Sequence, residues 1–217
     1  FYIAEVGVAI VHLETTALYR DPSSHAHITL AVDTTQATAA NRVKLYVNGV
    51  QVTSFSTATY PVLNANLDFN RNIAHFIGQS GGSSQYLDGY MSRVCFVDGQ
   101  ALTPSSFGYF NTKINEWVSN SQSAVKAVVD AGGTNSFMLD FDDNTSLTTL
   151  GYDKSSKGNN WTCNNISLTA GTTYDWMLDV PGNSYATLNP LIPSAANITN
   201  GNLSSGTTTA RGTFNCT

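Results

Sequence analysis

The densest group of acidic side chains lies in the stretch NSFMLDFDDN, which begins at residue 135. Within it, Asp140, Asp142, Asp143 and Asn144 offer the carboxylate and amide oxygens that Ca²⁺ prefers. Because side chains alternate along a strand, Asp140 and Asp142 share one face, and a pair of carboxylates is also what glycoside hydrolysis requires. Because the residues on the other face are apolar, we expect Asp140 and Asp142 to form a solvated strand face that ends in a turn. The alternative is a calcium site at these four residues.

The other residue types that could catalyse a reaction are scattered. Glu5, Glu14 and Glu116 are far apart, and the serine-rich chain lacks the G-x-S-x-G string of a hydrolase elbow. His25 and His27 fall on one strand face, a spacing compatible with a metal ion, but no third ligand is near them in the sequence. We therefore expect no catalytic activity.

Loop residues with the chemistry of sugar recognition form a further candidate site. Sugar binding needs aromatic platforms beside amide and carboxylate groups that form hydrogen bonds. Residues of these types in or next to predicted loops are Tyr60, Asn64, Asp68, Tyr86 and Asp88. They are the candidate ligand-binding residues, and the oxygen-rich loop around Asp68 is a second candidate for calcium.

The composition indicates an all-β protein. Only 12% of the 217 residues are charged, about half the usual share of roughly 25%. Glutamate occurs only at the three positions named above, whereas long helices use it freely. The net charge of −5 argues against nucleic-acid binding, which needs clustered Lys and Arg. No run of about 18 apolar residues is present, so no membrane insertion is expected.

The clearest local signal is a β-hairpin over residues 42–55. Val43, Leu45 and Val47 alternate with polar residues. The pair Asn48-Gly49 supplies the two positive-φ positions of a type I′ turn. A long polar loop is predicted at 56–72, and further strands are predicted at 27–33, 74–79, 86–100 and 135–144.

The character of the sequence changes near residue 144. Residues 145–217 are dominated by Ser, Thr, Asn and Gly, with isolated apolar anchors such as Trp161, Trp176 and Leu188. Such a segment has little to bury by itself, and we expect it to lie in extended form against a neighbour. We therefore predict a β-sandwich over residues 1–144, followed by an extended linker or assembly arm over 145–217 that leads to a further domain.

The chain contains three cysteines, Cys95, Cys163 and Cys216, without a C-x-x-C pair. Three free thiols are the favoured interpretation, and a Cys163–Cys216 disulfide remains open. The apolar start FYIAEVGVAIVHL contains Glu5 and follows no basic region, so we expect a strand rather than a signal peptide. The chain begins without Met and stops abruptly, which indicates a piece of a longer protein.

The motifs HITLAVD, RVKLYVNGVQV, AHFIGQ, YLDGYM and ALTPSSF follow one another over about residues 15–145. This order resembles the laminin-G-like and concanavalin A-like lectin–glucanase superfamily. The elements ALTPSSFGYF, KGNNWTCNNISL and PGNSYATLNPL look, more narrowly, like appendage proteins of tailed bacteriophages. The end of the chain, NGNLSSGTTTARGTF, resembles the lead into a SPRY-like domain.

The resemblance implies an antiparallel jelly-roll β-sandwich in a phage tail fibre, spike or similar appendage. It implies a virion protein, assembled in the host cytoplasm, that binds a host-surface glycan or packs with other virion proteins and with copies of itself, for example as a trimer. Glucanases of this family carry an E-x-D-x-x-E strand that is missing here. The alternatives are a secreted lectin-like adhesion module and, less favoured, a polysaccharide-degrading enzyme.

Overall fold

A computed structural model describes residues 2–5, 11–19, 25–79, 86–87, 89–169, 174–177, 198–199 and 204–205. The protein consists mostly of short strands in antiparallel sheets with few helices, which confirms the all-β prediction at that level. No helix in the described part of the chain has both the length and the apolar character needed to cross a membrane.

The elements follow one another in short units along the chain. The strands are β1 (Tyr2–Glu5), β2 (Val11–Thr15), β3 (Ile28–Val32), β4 (Val43–Val47), β5 (Val50–Gln51), β6 (Phe55–Thr59), β7 (Val94–Phe96), β8 (Gly108–Asn111), β9 (Glu116–Ser119), β10 (Phe137–Leu139), β11 (Ile198–Thr199) and β12 (Ser204–Ser205). The helices are α1 (Gln122–Asp130) and α2 (Leu147–Leu150), with short 3₁₀ turns at Ala39–Asn41 and Pro104–Ser106.

The first sheet pairs β2 with β1 on one side and with β6 on the other. Val11 and Leu13 of β2 are fully buried and Glu14 is exposed, so this strand presents one face to the core. Strand β6 begins just before the predicted polar loop at 56–72 and occupies its first residues, so the loop prediction is wrong there. Its polar sequence gives no local strand signal, because the pairing depends on the backbone groups of β2.

Strands β3, β4 and β5 form a second antiparallel sheet. Asn48 and Gly49, between β4 and β5, have φ values of 48° and 78°, and a type I′ turn requires positive φ at both positions. Val43, Leu45 and Val47 are buried. The predicted hairpin, its turn and its apolar face are therefore confirmed.

One predicted strand does not form, and another is shorter than expected. Residues 74–79 contain no strand and only a single bridge, between Gln79 and Tyr86. Among the described residues of 86–100, only β7 forms, and it pairs with β10. An alternating pattern becomes a strand only where a neighbour accepts its hydrogen bonds, and Phe76 in this segment is 56% exposed.

Helix α1 was not predicted from the sequence. Ser121 caps it by accepting a hydrogen bond from the backbone N–H of Ala124. Val125 and Val129, four residues apart, are buried on one face of the helix. The capping serine and the four-residue spacing of the valines indicate a helix in the sequence itself. The low glutamate content of the chain points the other way, towards an all-β protein.

Two separate apolar clusters form the core of the described residues. The first combines buried residues of the two three-stranded sheets and the loop after β6, namely Val11, Leu13, Val43 and Leu67. The second lies between α1 and β10 and contains Val125, Val129 and Met138. The two clusters are distinct, and a space lies between them that is lined by side chains of both.

The described part of residues 145–217 is attached to the preceding chain by specific contacts. Leu150 of α2 is buried, and Asp153 accepts a hydrogen bond from a backbone N–H of β10 at 2.8 Å. The ring centroids of Trp161 and Phe137 lie 5.0 Å apart. Trp161 therefore is the anchor that the sequence predicted, while the domain boundary near residue 144 stays a prediction.

Candidate binding groove

A wide groove lies between the two apolar clusters. Its volume is about 2340 Å³, well above the roughly 300–1,000 Å³ of pockets for single small molecules. Leu30 and Leu67 line it from the first cluster, and Val125 and Phe107 line it from the second. A space of this size fits an extended ligand better than a single metabolite.

Exposed aromatic side chains line this groove. Phe69, Tyr90 and Phe110 are 41%, 60% and 52% exposed and all belong to its lining. Tyr109, next to Phe110 on β8, is not part of the lining, because successive side chains of a strand lie on opposite faces. Large exposed rings of this kind offer flat apolar surfaces to a ligand.

An ion pair borders the groove where β7 meets β10. The Nε atom of Arg93 lies 2.8 Å from Oδ1 of Asp140, and its Nη1 donates to the carbonyl oxygen of Asn120 at 3.0 Å. The Asp140 side chain is only 6% exposed. Arg93 has a φ of 48°, a left-handed conformation that is uncommon outside glycine. These contacts hold the arginine in that conformation and tie the two strands together.

The predicted solvated face is therefore wrong for Asp140. Gln122 of α1 brings the two carboxylates together, since its Nε2 lies 2.5 Å from Asp140 Oδ2 and 3.5 Å from Asp142 Oδ2. Asp142 is half-exposed, as predicted, and its Oδ1 lies 2.8 Å from the Nζ of Lys154. Phe141 has a φ of 55°, so the strand alternation predicted for residues 135–144 ends before it.

The other two calcium candidates have local partners. Asp143 Oδ1 accepts a hydrogen bond from the Thr145 hydroxyl at 2.6 Å, and Thr145 thereby lowers the pKa of Asp143. Asn144 Nδ2 donates to the Tyr174 hydroxyl at 2.9 Å. Among the described residues, no three His, Cys, Asp or Glu side chains are arranged to hold a metal ion. Calcium binding at residues 140–144 stays a prediction.

Four of the five predicted sugar-binding residues are described, and none of them lines the groove: Tyr60, Asn64, Asp68 and Tyr86. The fifth, Asp88, lies outside the described residues. Tyr60 packs against the first apolar cluster, and Asp68 forms an ion pair with Arg71. Phe69, next to Asp68 in the same loop, does line the groove, and sugar binding by the five named residues stays a prediction.

His27 and Trp117 connect the β3–β5 sheet with the β8–β9 hairpin beside the groove. Their ring centroids are 5.6 Å apart, and a Cβ atom on Gly49 would overlap the indole ring. His27 Nδ1 and Trp117 Nε1 are buried and have no hydrogen-bond partner among the described residues. Burial, and then the charge of Arg93, lower the pKa of His27. His25 is exposed, and both histidines precede β3, so they do not lie on one strand face as predicted.

Three residues that shape the groove were not predicted, namely Arg93, Phe110 and Trp117. Arg93 directly precedes the apolar run V-C-F, and a lone cation beside such a run was a signal for a buried ion pair. Phe110 and Trp117 lie opposite each other on β8 and β9. No local pattern shows that this hairpin packs against the turn of another sheet.

Comparisons with protein-family models, curated proteins and solved structures give no match for this chain. The resemblance to lectin-like phage appendage proteins therefore stays a prediction. Inference about function depends on the groove, its exposed aromatic side chains and the charged groups around it.

Proposed function

We propose that this protein is a structural and adhesive component of a phage virion, in a tail fibre, spike or similar appendage, whose groove binds a host-surface glycan. The observation that supports this proposal best is the combination of a wide groove and exposed aromatic rings along it. The proposed location is the virion, after assembly in the host cytoplasm.

The lining of the groove has the two chemical features that a glycan needs. Phe69 and Phe110 offer flat apolar faces on which sugar rings can stack. Amide side chains, which both donate and accept hydrogen bonds and so suit sugar hydroxyl groups, also belong to the lining: Asn48, Asn66, Asn70, Gln100, Asn115, Asn120 and Gln122. A volume of about 2340 Å³ leaves space for several sugar units.

The proposal includes no catalytic step. Asp140 and Asp142 are close together, but Arg93 holds the first and Lys154 holds the second. A retaining glycosidase uses one carboxyl group as nucleophile and the other as proton donor, and both must reach the sugar. A buried carboxylate that is engaged by a guanidinium is not presented to a substrate in this way.

The finer fold and the assembly belong to the same proposal. Two three-stranded antiparallel sheets are compatible with the two layers of a jelly-roll sandwich. Residues 145–217 would serve as the assembly arm of a homo-oligomer such as a trimer, leading to a SPRY-like domain. Two contacts support an arm that docks through its aromatic residues: Trp161 packs on Phe137, and Trp176 donates its Nε1–H to the carbonyl oxygen of Phe141 at 2.8 Å.

Packing within the appendage is the second candidate function, favoured by exposed apolar side chains outside the groove. Val62, Leu63, Ile73 and Phe76 are between 46% and 68% exposed and are not part of the groove lining. Exposed apolar surface beyond scattered single residues marks sites of contact with other proteins. These residues would meet other virion proteins or further copies of the chain.

Immunogold labelling of intact particles tests the proposed location. An antibody raised against the hairpin at residues 42–55 should place gold on a tail appendage. Gold confined to the capsid, or purified infectious particles that lack the chain altogether, would contradict the proposal.

A further inference from the structure

We infer that the groove selects glycans that carry free amino groups, because most of the ionisable side chains that line it in the described part of the chain are acidic. The inference rests on the proposed glycan binding and adds the class of sugar. Among the described residues, five carboxylates line the groove, those of Asp33, Asp98, Glu116, Asp140 and Asp142. Against them stand one guanidinium, that of Arg93, and the imidazoles of His25 and His27. Complementary charge in a partner would therefore be positive.

Three of the five carboxylates have no cationic partner among the described residues, namely Asp33, Asp98 and Glu116. The guanidinium that belongs to the groove is already paired with Asp140, and Lys154 holds Asp142. The negative charge available to a ligand is therefore that of the three unpaired groups.

Uncharged donors hold two of these groups in position. Asp33 accepts hydrogen bonds from Thr35 Oγ1 at 2.6 Å and from Gln36 Nε2 at 2.5 Å. These bonds lower the pKa of Asp33, so its carboxylate stays ionised. Asp98 accepts a hydrogen bond from Asn70 Nδ2 at 2.7 Å. Neutral donors orient a carboxylate without cancelling its charge, which leaves that charge for a ligand.

The three groups come from separate elements, which fits a polymer better than a metal ion. Asp33 follows β3, Asp98 follows β7, and Glu116 begins β9. A metal ion needs oxygens that converge on one point, and the described residues contain no such group of side chains. A glycan with an ammonium on successive units can meet carboxylates placed at intervals, whereas an anionic glycan would be repelled.

Two oligosaccharides with the same backbone provide matched probes: the hexamer of glucosamine, with free amino groups, and its fully N-acetylated counterpart. Calorimetric titration of the full chain would be done at about pH 6, where amino groups are cationic and carboxylates anionic. An exposed ion pair changes affinity by about 1.5-fold to fivefold. Three pairs therefore predict about tenfold tighter binding of the amino hexamer, and about 0.5 M salt should reduce this preference.

Charge-removing variants connect the preference to the groove. Asp33→Asn combined with Glu116→Gln should reduce the preference, because the affinity for the amino hexamer falls more than the affinity for the acetylated hexamer. Adding Asp98→Asn should remove most of what remains. Because Asp98 also bonds to neighbouring loops, the double variant keeps the test independent of any local rearrangement there. Glu14→Gln removes an exposed carboxylate of β2 that is not part of the groove, and it should keep the full preference.

Three other outcomes would overturn the inference. Equal affinity for the two hexamers would reject the preference for amino groups while leaving glycan binding in place. Failure of the amino hexamer to bind would also reject it, whatever other glycans the groove binds. A lysine hexamer that binds as tightly as the amino hexamer, and loses affinity in the same variants, would identify a basic protein segment as the occupant instead.

Discussion

Replacing Asp140 by alanine should destabilise the protein strongly, because the change leaves Arg93 partly buried without its carboxylate. Removing one partner of a buried ion pair costs about 3–5 kcal/mol. Arg93 is 28% exposed and keeps its bond to the Asn120 carbonyl, so some of its charge stays solvated or bonded. We therefore expect the free energy of unfolding to fall by about 2–4 kcal/mol.

A matched control lies two residues away in the same loop. Asp142 pairs with Lys154 at the same 2.8 Å, but the two side chains are 50% and 30% exposed. Solvent-exposed pairs contribute about 0–1 kcal/mol, so Asp142→Ala should have a small effect. In thermal melts of a chain of this length, about 2–4 °C correspond to each kcal/mol. We expect the melting temperature to fall by about 5–15 °C for Asp140→Ala and by less than about 4 °C for Asp142→Ala.

Urea denaturation of a double-mutant cycle isolates the pair itself. Arg93→Met combined with Asp140→Leu replaces both partners with apolar groups, and such a replacement of a buried pair is often close to neutral. The double variant should therefore be more stable than Asp140→Ala. Equal losses of stability in Asp140→Ala and Asp142→Ala would refute the reasoning. So would a coupling energy below about 0.5 kcal/mol between Arg93 and Asp140, obtained from Arg93→Met, Asp140→Leu and the double variant.

Further consequences can be measured on the same purified protein. Gly49→Ala should cost about 1–3 kcal/mol more than Gly99→Ala in the free energy of unfolding. Both glycines have a φ of 78°, but only a Cβ at Gly49 overlaps Trp117; equal melting temperatures would count against this packing. Stability should fall as the pH drops from about 7 to 5, because burial lowers the pKa of His27 in the folded state and the unfolded chain therefore binds the proton first. A His27→Gln variant with an unchanged pH dependence would argue against it. Burial raises the pKa of Cys95 to about 12, so iodoacetamide at about pH 8 should modify it much more slowly in the folded than in the unfolded protein. Equal labelling rates of Cys95 in the two states would contradict this expectation.

Elements defined by local chemistry were predictable from the sequence. The hairpin around Asn48 and Gly49 formed as expected, because the turn needs two residues that tolerate positive φ and the flanking strands alternate in polarity. Helix α1 was equally local in origin, with Ser121 as cap and Val125 and Val129 on one face. The low glutamate content of the chain conceals this helix, whose signal lies only in the cap and the spacing.

The groove could not be predicted from the sequence, because it depends on which distant segments meet. Phe69, Arg93 and Phe110 belong to three separate segments and come together only when the two apolar clusters form. The burial of Asp140 follows from an arginine 47 residues earlier in the chain, and no spacing rule within one strand reveals such a partner. Local pattern therefore identified the carboxylate pair, and the tertiary contacts decided its role.

The measurement that most directly tests recognition by the groove is a glycan array probed with three forms of the full chain: the unmodified protein, Phe110→Ser and Tyr109→Ser. Both rings are about half-exposed and lie next to each other on β8, but only Phe110 lines the groove. Recognition by the groove predicts that the unmodified protein binds at least one surface glycan and that Tyr109→Ser keeps this binding. Phe110→Ser should lose about tenfold or more in affinity. Absence of binding to every glycan on the array, or equal binding by the two variants, would contradict it.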